Sequence, residues 1–192
     1  MSRYLGPRVR VIRRLGALPA LTNKSPKKRT SAPGEHAHKT RKLSEFAVQL
    51  QEKQKLQYYY GITNSQLARY FRQARRSKSS TGLALLTMLE TRLDHLVYRA
   101  GFAPTLPAAR QLVNHGHVKV NGKKVTIASW ACEVNHVIEV KSSSPPKPPE
   151  YLPPYLQLSN GTLTVTQPVQ KEWLAFVVNE LLVVEYYTRV GA

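Results

Sequence analysis

The chain has a single cysteine, Cys132, in 192 residues. One thiol excludes an intrachain disulfide and suits a reducing compartment. A zinc site on Cys132 would need His36, His38, His115 or His117 brought from far along the chain, whereas structural zinc sites use paired ligands at short spacing. No metal and no cofactor are therefore expected. Long apolar runs are also missing. The longest, Trp173 to Val184, is interrupted by Asn179 and Glu180 and falls short of the ~20 residues that a membrane span needs, so no membrane partner is expected. There is no internal repeat. Acids are scarce: 11 Asp and Glu stand against 29 Lys and Arg, a formal net charge of +18. Such an imbalance speaks about partners rather than fold, and the natural partner is a polyanion.

The charge is unevenly spread. Residues 1–80 carry 19 Lys and Arg against three acids, Glu35, Glu45 and Glu52, for a net +16, while residues 81–192 carry 10 against 8. The first part reads as an electrostatic footprint and the second as ordinary globular protein. Residues 1–31 are basic and free of acids, as organelle presequences are, but have no apolar core of the kind a secretory signal needs.

Local patterns place the elements. Pro7 in a first turn and Gly16 as a stop bracket a short helix carrying Arg8, Arg10, Arg13 and Arg14. Residues 19–42 hold Pro19, Pro26, Pro33 and Gly34 among many charges, with too few apolar residues to fold alone. This stretch reads as a basic arm, with Lys27, Lys28, Arg29, Arg41 and Lys42, that becomes ordered against phosphates; the plainer alternative is a disordered tail. A helix follows from a Ser44 cap to Gly61. The next has capping-box spacing at Thr63 and Gln66 and staple spacing at Ile62 and Leu67. Leu67, Tyr70, Phe71 and Ala74 then share one face, and Arg69, Arg72 and Arg76 fall roughly opposite with no acids to pair them. Leu83 to Leu89 is an apolar helical stretch.

Arg92 to Ala100 reads as a helix with Leu93, Leu96 and Val97 inward, and Thr105 starts another that ends at Gly116. Two short alternating segments around Asn121-Gly122 give a β-hairpin from His117 to Val125. A strand pair is expected across Ile127 to Val140. Ser142 to Pro149 is a proline-rich break, Leu156 to Val165 a second hairpin around Asn160-Gly161, and Trp173 to Tyr187 a β-rich stretch of mixed period. Two helices and a hairpin from Arg92 to Val125 make a compact surface offering Arg92, Arg99, Arg110, Gln111, His115, Lys119, Asn121, Lys123 and Lys124. Basic and amide side chains of this kind suit phosphate, sugar and base-edge contacts on folded RNA.

The run Arg92-Leu-Asp-His-Leu-Val-Tyr-Arg-Ala-Gly-Phe-Ala103, the run Ala109 to His117 and Val120-Asn121-Gly122 closely resemble the alpha-L RNA-binding motif. Ser2-Arg3-Tyr4, Arg13-Arg14-Leu15-Gly16, Glu52 to Leu56, Tyr60-Gly61-Ile62 and Asn179 to Tyr187 resemble the small-subunit ribosomal protein S4 family. Leu15 to Thr22 and the ending are most similar to chloroplast and cyanobacterial members. The resemblance runs from Ser2 to Arg189 and is weakest over Ser142 to Lys171.

That resemblance implies an α+β fold. A basic extended N-terminal arm (1–42) leads to a helical domain (43–90) and an alpha-L domain with antiparallel strands (91–141). A proline-rich linker (142–155) and C-terminal strands and tail (156–192) follow, the C-terminal segment returning to the helical part. It implies a structural, non-enzymatic constituent of the small ribosomal subunit that binds the 5′ domain of the small-subunit rRNA, acts in assembly and decoding accuracy, contacts ribosomal protein S5 and lies near the messenger RNA entry region. The motif carries RNA contact onto Arg92, Arg99, Thr105, Arg110, Gln111, His115, Lys119, Asn121 and Lys123. The charge reading adds Arg3 and the arm's other basic residues, with Arg69, Arg72, Arg75 and Arg76. Replacing Arg110 and Lys119 together should then weaken RNA binding and leave the fold intact. The setting implied is the chloroplast stroma, alternatively cyanobacterial cytoplasm. Because family-like residues begin at Ser2, little room is expected for a presequence.

Some bacterial members hold zinc through N-terminal cysteines, which are missing here, and the Ser142–Pro149 stretch departs from the longer charged segment of bacterial relatives. One rival remains. Pseudouridine synthases also carry alpha-L modules, and their catalytic aspartate sits in an Arg-Leu-Asp triplet like Arg92-Leu93-Asp94. Here the triplet lies within the module's own first helix and is preceded by Thr91.

Overall fold

The structure, a computed structural model, describes residues 4–28, 30–35, 42–141, 151–159, 161–174, 176 and 178–191. The expectations placed on Arg3, Arg29 and Arg41, on the Ser142–Pro149 break and on the Asn160 turn position lie outside the described residues. So do His36 and His38. The described chain divides into two compact units, one formed by residues up to Ala84 together with those from Val178 onward, the other by the stretch from Leu85 to Phe176.

The first unit is helical. It contains α1 (Arg8–Leu15), α2 (Glu45–Tyr59), α3 (Asn64–Ala74) and the C-terminal α7 (Glu180–Val190). Ser44 caps α2 by accepting from the Ala47 amide at 3.3 Å. The core gathers Leu56, Tyr59, Tyr60, Leu67, Phe71, Val183 and Tyr187, with Phe71 and Tyr187 stacked at 4.7 Å between ring centroids. Helix α7 packs along α2. Gln49 Nε2 donates to Glu185 Oε2 at 3.0 Å, and the buried Lys53 ammonium lies 5.4 Å from the centre of the Tyr186 ring. The C-terminal segment thus returns to the helical part, but as a helix.

That corrects the β reading of Trp173 to Tyr187. A short 3-10 turn covers Lys171–Trp173, and Glu180–Val190 is α-helical. The Asn179 side chain caps α7 by accepting from the Leu181 amide at 3.1 Å. Val183 and Tyr187, one helical turn apart, are the residues that α7 buries. The modest helix propensity of Val and Tyr is overridden by that packing.

Helix α4 (Thr81–Glu90) leads into the second unit, which holds α5 (Leu93–Arg99), α6 (Leu106–Asn114) and a five-stranded antiparallel sheet. The strands are β1 (Val118–Val120), β2 (Lys123–Lys124), β3 (Val137–Val140), β4 (Leu156–Ser159) and β5 (Thr162–Val165), in the order β2-β1-β3-β5-β4. Inward positions alternate: Val118 and Val120, Ile138, Leu163 and Val165, and Leu156 join Leu93, Leu96, Val97, Ala109 and Val113 in one apolar cluster. The β1–β2 turn has positive φ at both central residues, 49° at Asn121 and 76° at Gly122, the geometry of a tight hairpin.

Ile127 to Val140 supplies one strand, not the expected pair. The residues before β3 serve α5 instead. The carbonyls of Trp130 and Ala128 accept from the Leu93 and Asp94 amides at 2.9 and 3.1 Å. These are first-turn donors of α5 that have no partner inside a helix. Together with the bond from the Cys132 amide to the Thr91 carbonyl at 2.8 Å, the Leu93 bond closes an isolated antiparallel bridge between Arg92 and Ala131, so this segment pairs with the start of α5 instead of forming a second strand.

Candidate nucleic-acid interface

In the first unit the interface rests on α3. Thr63 Oγ1 accepts from the Gln66 amide at 3.3 Å and Gln66 Oε1 accepts from the Thr63 amide at 3.1 Å, closing the expected capping box. Leu67, Phe71 and Ala74 are buried, which turns the remaining face outward. Arg69 and Arg72 are exposed on it, and Arg75 and Arg76 are exposed just past its end. Among the described residues, ion pairs use other groups. Cations at a helix C-terminus also suit the dipole there, but a single turn's dipole does not call for four unpaired guanidiniums.

The basic arm is more structured than its composition implies. Leu18, Ala20 and Leu21 are buried. Arg13 holds the chain beyond them, Nε donating to the Ser31 carbonyl at 2.8 Å and Nη2 to that of Ala32 at 3.4 Å. Arg8 Nη1 donates to the Leu21 carbonyl at 3.4 Å. Arg8 and Arg13, expected as phosphate ligands, are half-buried and tie the arm to α1. Arg10, Arg14, Lys27, Lys28 and Lys42 stay exposed. Three buried apolar side chains and these guanidinium bonds seat the segment, which a reading by charge and proline content does not reveal.

The second unit separates its candidates sharply. Arg92 is 3% exposed and Asp94 is fully buried. Arg92 Nε donates to Asp94 Oδ1 at 3.0 Å and Nη2 to Oδ2 at 2.8 Å. Arg110 reaches the same Oδ2 from α6 through Nε at 3.0 Å and Nη2 at 2.7 Å. A carboxylate buried this deeply must be paired. Arg92 and Arg110 therefore hold the α5–α6 frame together, and removing Arg110 is expected to disturb the fold rather than leave it untouched. Asp94, with both oxygens held by guanidiniums, has none turned to a substrate uridine. Arg99 is half-buried, its Nη2 donating to the Trp173 carbonyl at 3.5 Å. Thr105 is the N-cap residue of α6 by backbone geometry and makes no side-chain cap bond.

What this unit presents outward is Gln111, His115, Asn121 and Lys123, with Lys119 half-buried. Asn121 also braces the sheet, because its Oδ1 accepts from the Val137 amide at 2.8 Å and so pins the hairpin to β3. Lys124, which the motif does not carry, pairs across the strands with Lys119 and is exposed. The two-residue Asn-Gly turn already contains the signal for it, because the turn fixes that register. Lys78, exposed in the loop after α3, is a further basic residue that the sequence patterns do not single out.

Of the buried groups with shifted proton affinity, two bear on this unit's chemistry. The His95 imidazole is held below its ordinary 6.5, first by burial, with Arg99 adding to the effect while Glu90 and Asp94 oppose it. Burial, and then the Asp94 charge, push the Cys132 thiol up to about 12, so it is a packed apolar group and no nucleophile. Among the described residues no three His, Cys, Asp or Glu side chains are grouped to hold a metal ion, and no helix is long and apolar enough to cross a membrane.

Residues 3–90 match the ribosomal protein S4/S9 N-terminal domain, and residues 91–138 match the S4 domain. The small ribosomal subunit protein uS4c of Cyanidioschyzon merolae is 77% identical over 192 residues, covering all of both chains. The uS4 proteins of Crocosphaera subtropica and Nostoc punctiforme are each 51% identical over 201 residues, covering 98% of this chain and 99% of theirs.

Proposed function

Since the chain belongs to the ribosomal protein S4 family, of the plastid and cyanobacterial type, we propose that it is a structural constituent of the small ribosomal subunit that binds small-subunit rRNA. The observation that carries this reading is the exposed, unpaired arginine row of α3. Phosphate backbones are contacted by just such rows, and the contacts release counterions. The finer parts of the reading follow the family resemblance: the 5′ domain of the rRNA as the primary target, a role in subunit assembly and decoding accuracy, contact with ribosomal protein S5, a place near the messenger RNA entry region, and the chloroplast stroma as setting. The reading is non-enzymatic, and the enclosed Asp94 supports it.

The interface has two kinds of contact. Arg69, Arg72, Arg75 and Arg76, with Arg10, Arg14, Lys27, Lys28 and Lys42, give charge. Gln111, His115, Lys119 and Lys123 give shaped contacts from a rigid α6–hairpin frame. The test is co-sedimentation of the full chain with small subunits through a high-salt wash, paired with binding to a transcript of the rRNA 5′ domain. Retention with tight, salt-sensitive binding is expected. Release by the wash would turn the reading toward a transient RNA-binding factor.

A further inference from the structure

The stretch from Val125 to Val140 turns large apolar side chains outward. Ile127, Trp130 and Val134 are 52%, 42% and 40% exposed, while the small Ala128 and Cys132 between them are buried in the unit's core. The backbone that carries them is held on both sides. The Trp130 amide donates to the Ile127 carbonyl at 3.1 Å, and the Trp130 carbonyl accepts from the Leu93 amide at 2.9 Å. The Asn135 amide donates to the Val165 carbonyl at 2.7 Å, and the Glu133 amide to His136 Nδ1 at 3.1 Å. Apolar residues scattered singly over a surface call for no explanation, but three large ones on one anchored loop do. A tryptophan on a fixed backbone is the kind of side chain that anchors an interface, because little of its freedom remains to be lost on binding.

Charge decides what this loop can meet. The chain has 29 Lys and Arg against 11 acids, yet Val125 to Val140 contains no Lys or Arg and two acids, Glu133 and Glu139. Glu139 lies opposite Lys119 in the β1–β3 register. Glu133, next to Val134 in the chain, is exposed and takes part in none of the ion pairs found among the described residues. A nucleic-acid backbone brought against Trp130 would meet a carboxylate where it needs a cation. A second copy of this chain would bring a net charge of +18 against +18, which keeps such molecules apart. What suits the loop is an apolar side chain flanked by a lysine or arginine on another protein.

We propose that Ile127, Trp130 and Val134, with Glu133 among them, form a docking surface for another protein of the small subunit, which presents an apolar side chain next to a lysine or arginine. This rests on the small-subunit reading above and assigns a protein contact to a loop outside the cationic interface. The basic rows face RNA, and this loop, free of lysine and arginine, faces protein.

The experiment places the photoreactive residue p-benzoylphenylalanine at position 130 of the full chain, reconstitutes it into small subunits, irradiates them and identifies the adduct by peptide mass. The same probe is read in a chain that also carries E133K. The expected adduct joins the probe to one peptide of another ribosomal protein, in which an apolar residue neighbours a lysine or arginine. E133K should lower its yield roughly threefold, because the facing cation then meets an ammonium. If the chain with the probe at position 130 does not fold, the probe at position 127 decides in its place. An adduct with rRNA alone, an adduct with a second copy of this chain, or no adduct in subunits that contain the chain overturns the proposal. So does a protein adduct whose yield E133K leaves unchanged, because the chemistry assigned to the partner is then wrong. Failure of the unmodified chain to enter small subunits is distinguishable, because sedimentation shows it before irradiation, and it removes the small-subunit reading together with this extension of it.

Discussion

Arg110 on α6 reaches Asp94 on α5 with two hydrogen bonds to one carboxylate oxygen, Nε at 3.0 Å and Nη2 at 2.7 Å. The bond joins the two helices of the alpha-L frame, and Arg92 completes it from the N-cap of α5. Removing the shared anion by D94N should cost about 3–5 kcal/mol, the usual penalty for breaking a buried charge pair. R110A should cost less, because Arg92 still pairs with Asp94. Urea denaturation midpoints measure both. An R110A chain with an unshifted midpoint and weakened RNA binding would return Arg110 to the interface.

The α3 arginines should behave in the opposite way. Each of R69Q, R72Q, R75Q and R76Q should leave the unfolding stability within about 0.5 kcal/mol of the original, as exposed substitutions do. Each should lower the salt slope of rRNA binding by roughly 0.7–0.9 where it contacts a phosphate. The quadruple variant combines the losses. A quadruple variant with the original slope would move the footprint off α3.

Arg13 offers a third kind of outcome, since it bonds the arm's own backbone at Ser31 and Ala32. In the free protein, R13Q should accelerate tryptic cleavage at Lys27 and Lys28, both exposed, by releasing that stretch from α1. Affinity should fall because a loosened arm must be ordered on binding. Equal cleavage rates for R13Q and the unmodified chain would show that the buried Leu18, Ala20 and Leu21 hold the arm without it.

The parts of this molecule that are legible in sequence are those set by neighbours along the chain. The Thr63–Gln66 capping box, the Leu67–Phe71–Ala74 stripe and the Asn121-Gly122 turn each need only a few consecutive residues. Helix α7 is not legible, because its identity is decided by Tyr187 stacking on the distant Phe71 rather than by its valine-rich composition. The interface is half legible for a related reason. In a chain this basic every arginine looks like a phosphate ligand, and the feature that separates Arg92 and Arg110 from Arg69 and Arg72 is one buried acid, Asp94. Its place between the buried Leu93 and the α5 core is a signal that charge counting discards.

His95 gives the last prediction, on pH. The side chain is fully buried on α5, with its Nδ1 3.3 Å from Glu90 Oε2, and Tyr155 Oη donates to the same carboxylate oxygen at 3.0 Å. Burial lowers the imidazole's proton affinity below the ordinary 6.5, more than the Glu90 and Asp94 charges raise it, and Arg99 lowers it further. A histidine whose affinity for protons is lower folded than unfolded stabilises the fold above its unfolded value. That stability is lost as pH falls, since the unfolded chain then binds the extra proton. The urea midpoint should therefore decline on acidification from about pH 7.5 to about 5.5, with the decline beginning near 6.5. H95N starts from a lower midpoint, because the substitution disturbs a buried network, but its midpoint should fall less over the same interval. The comparison depends on the slope with pH and not on the starting stability, so a destabilised variant remains informative. Parallel pH profiles for H95N and the unmodified chain would assign the acid sensitivity to other groups.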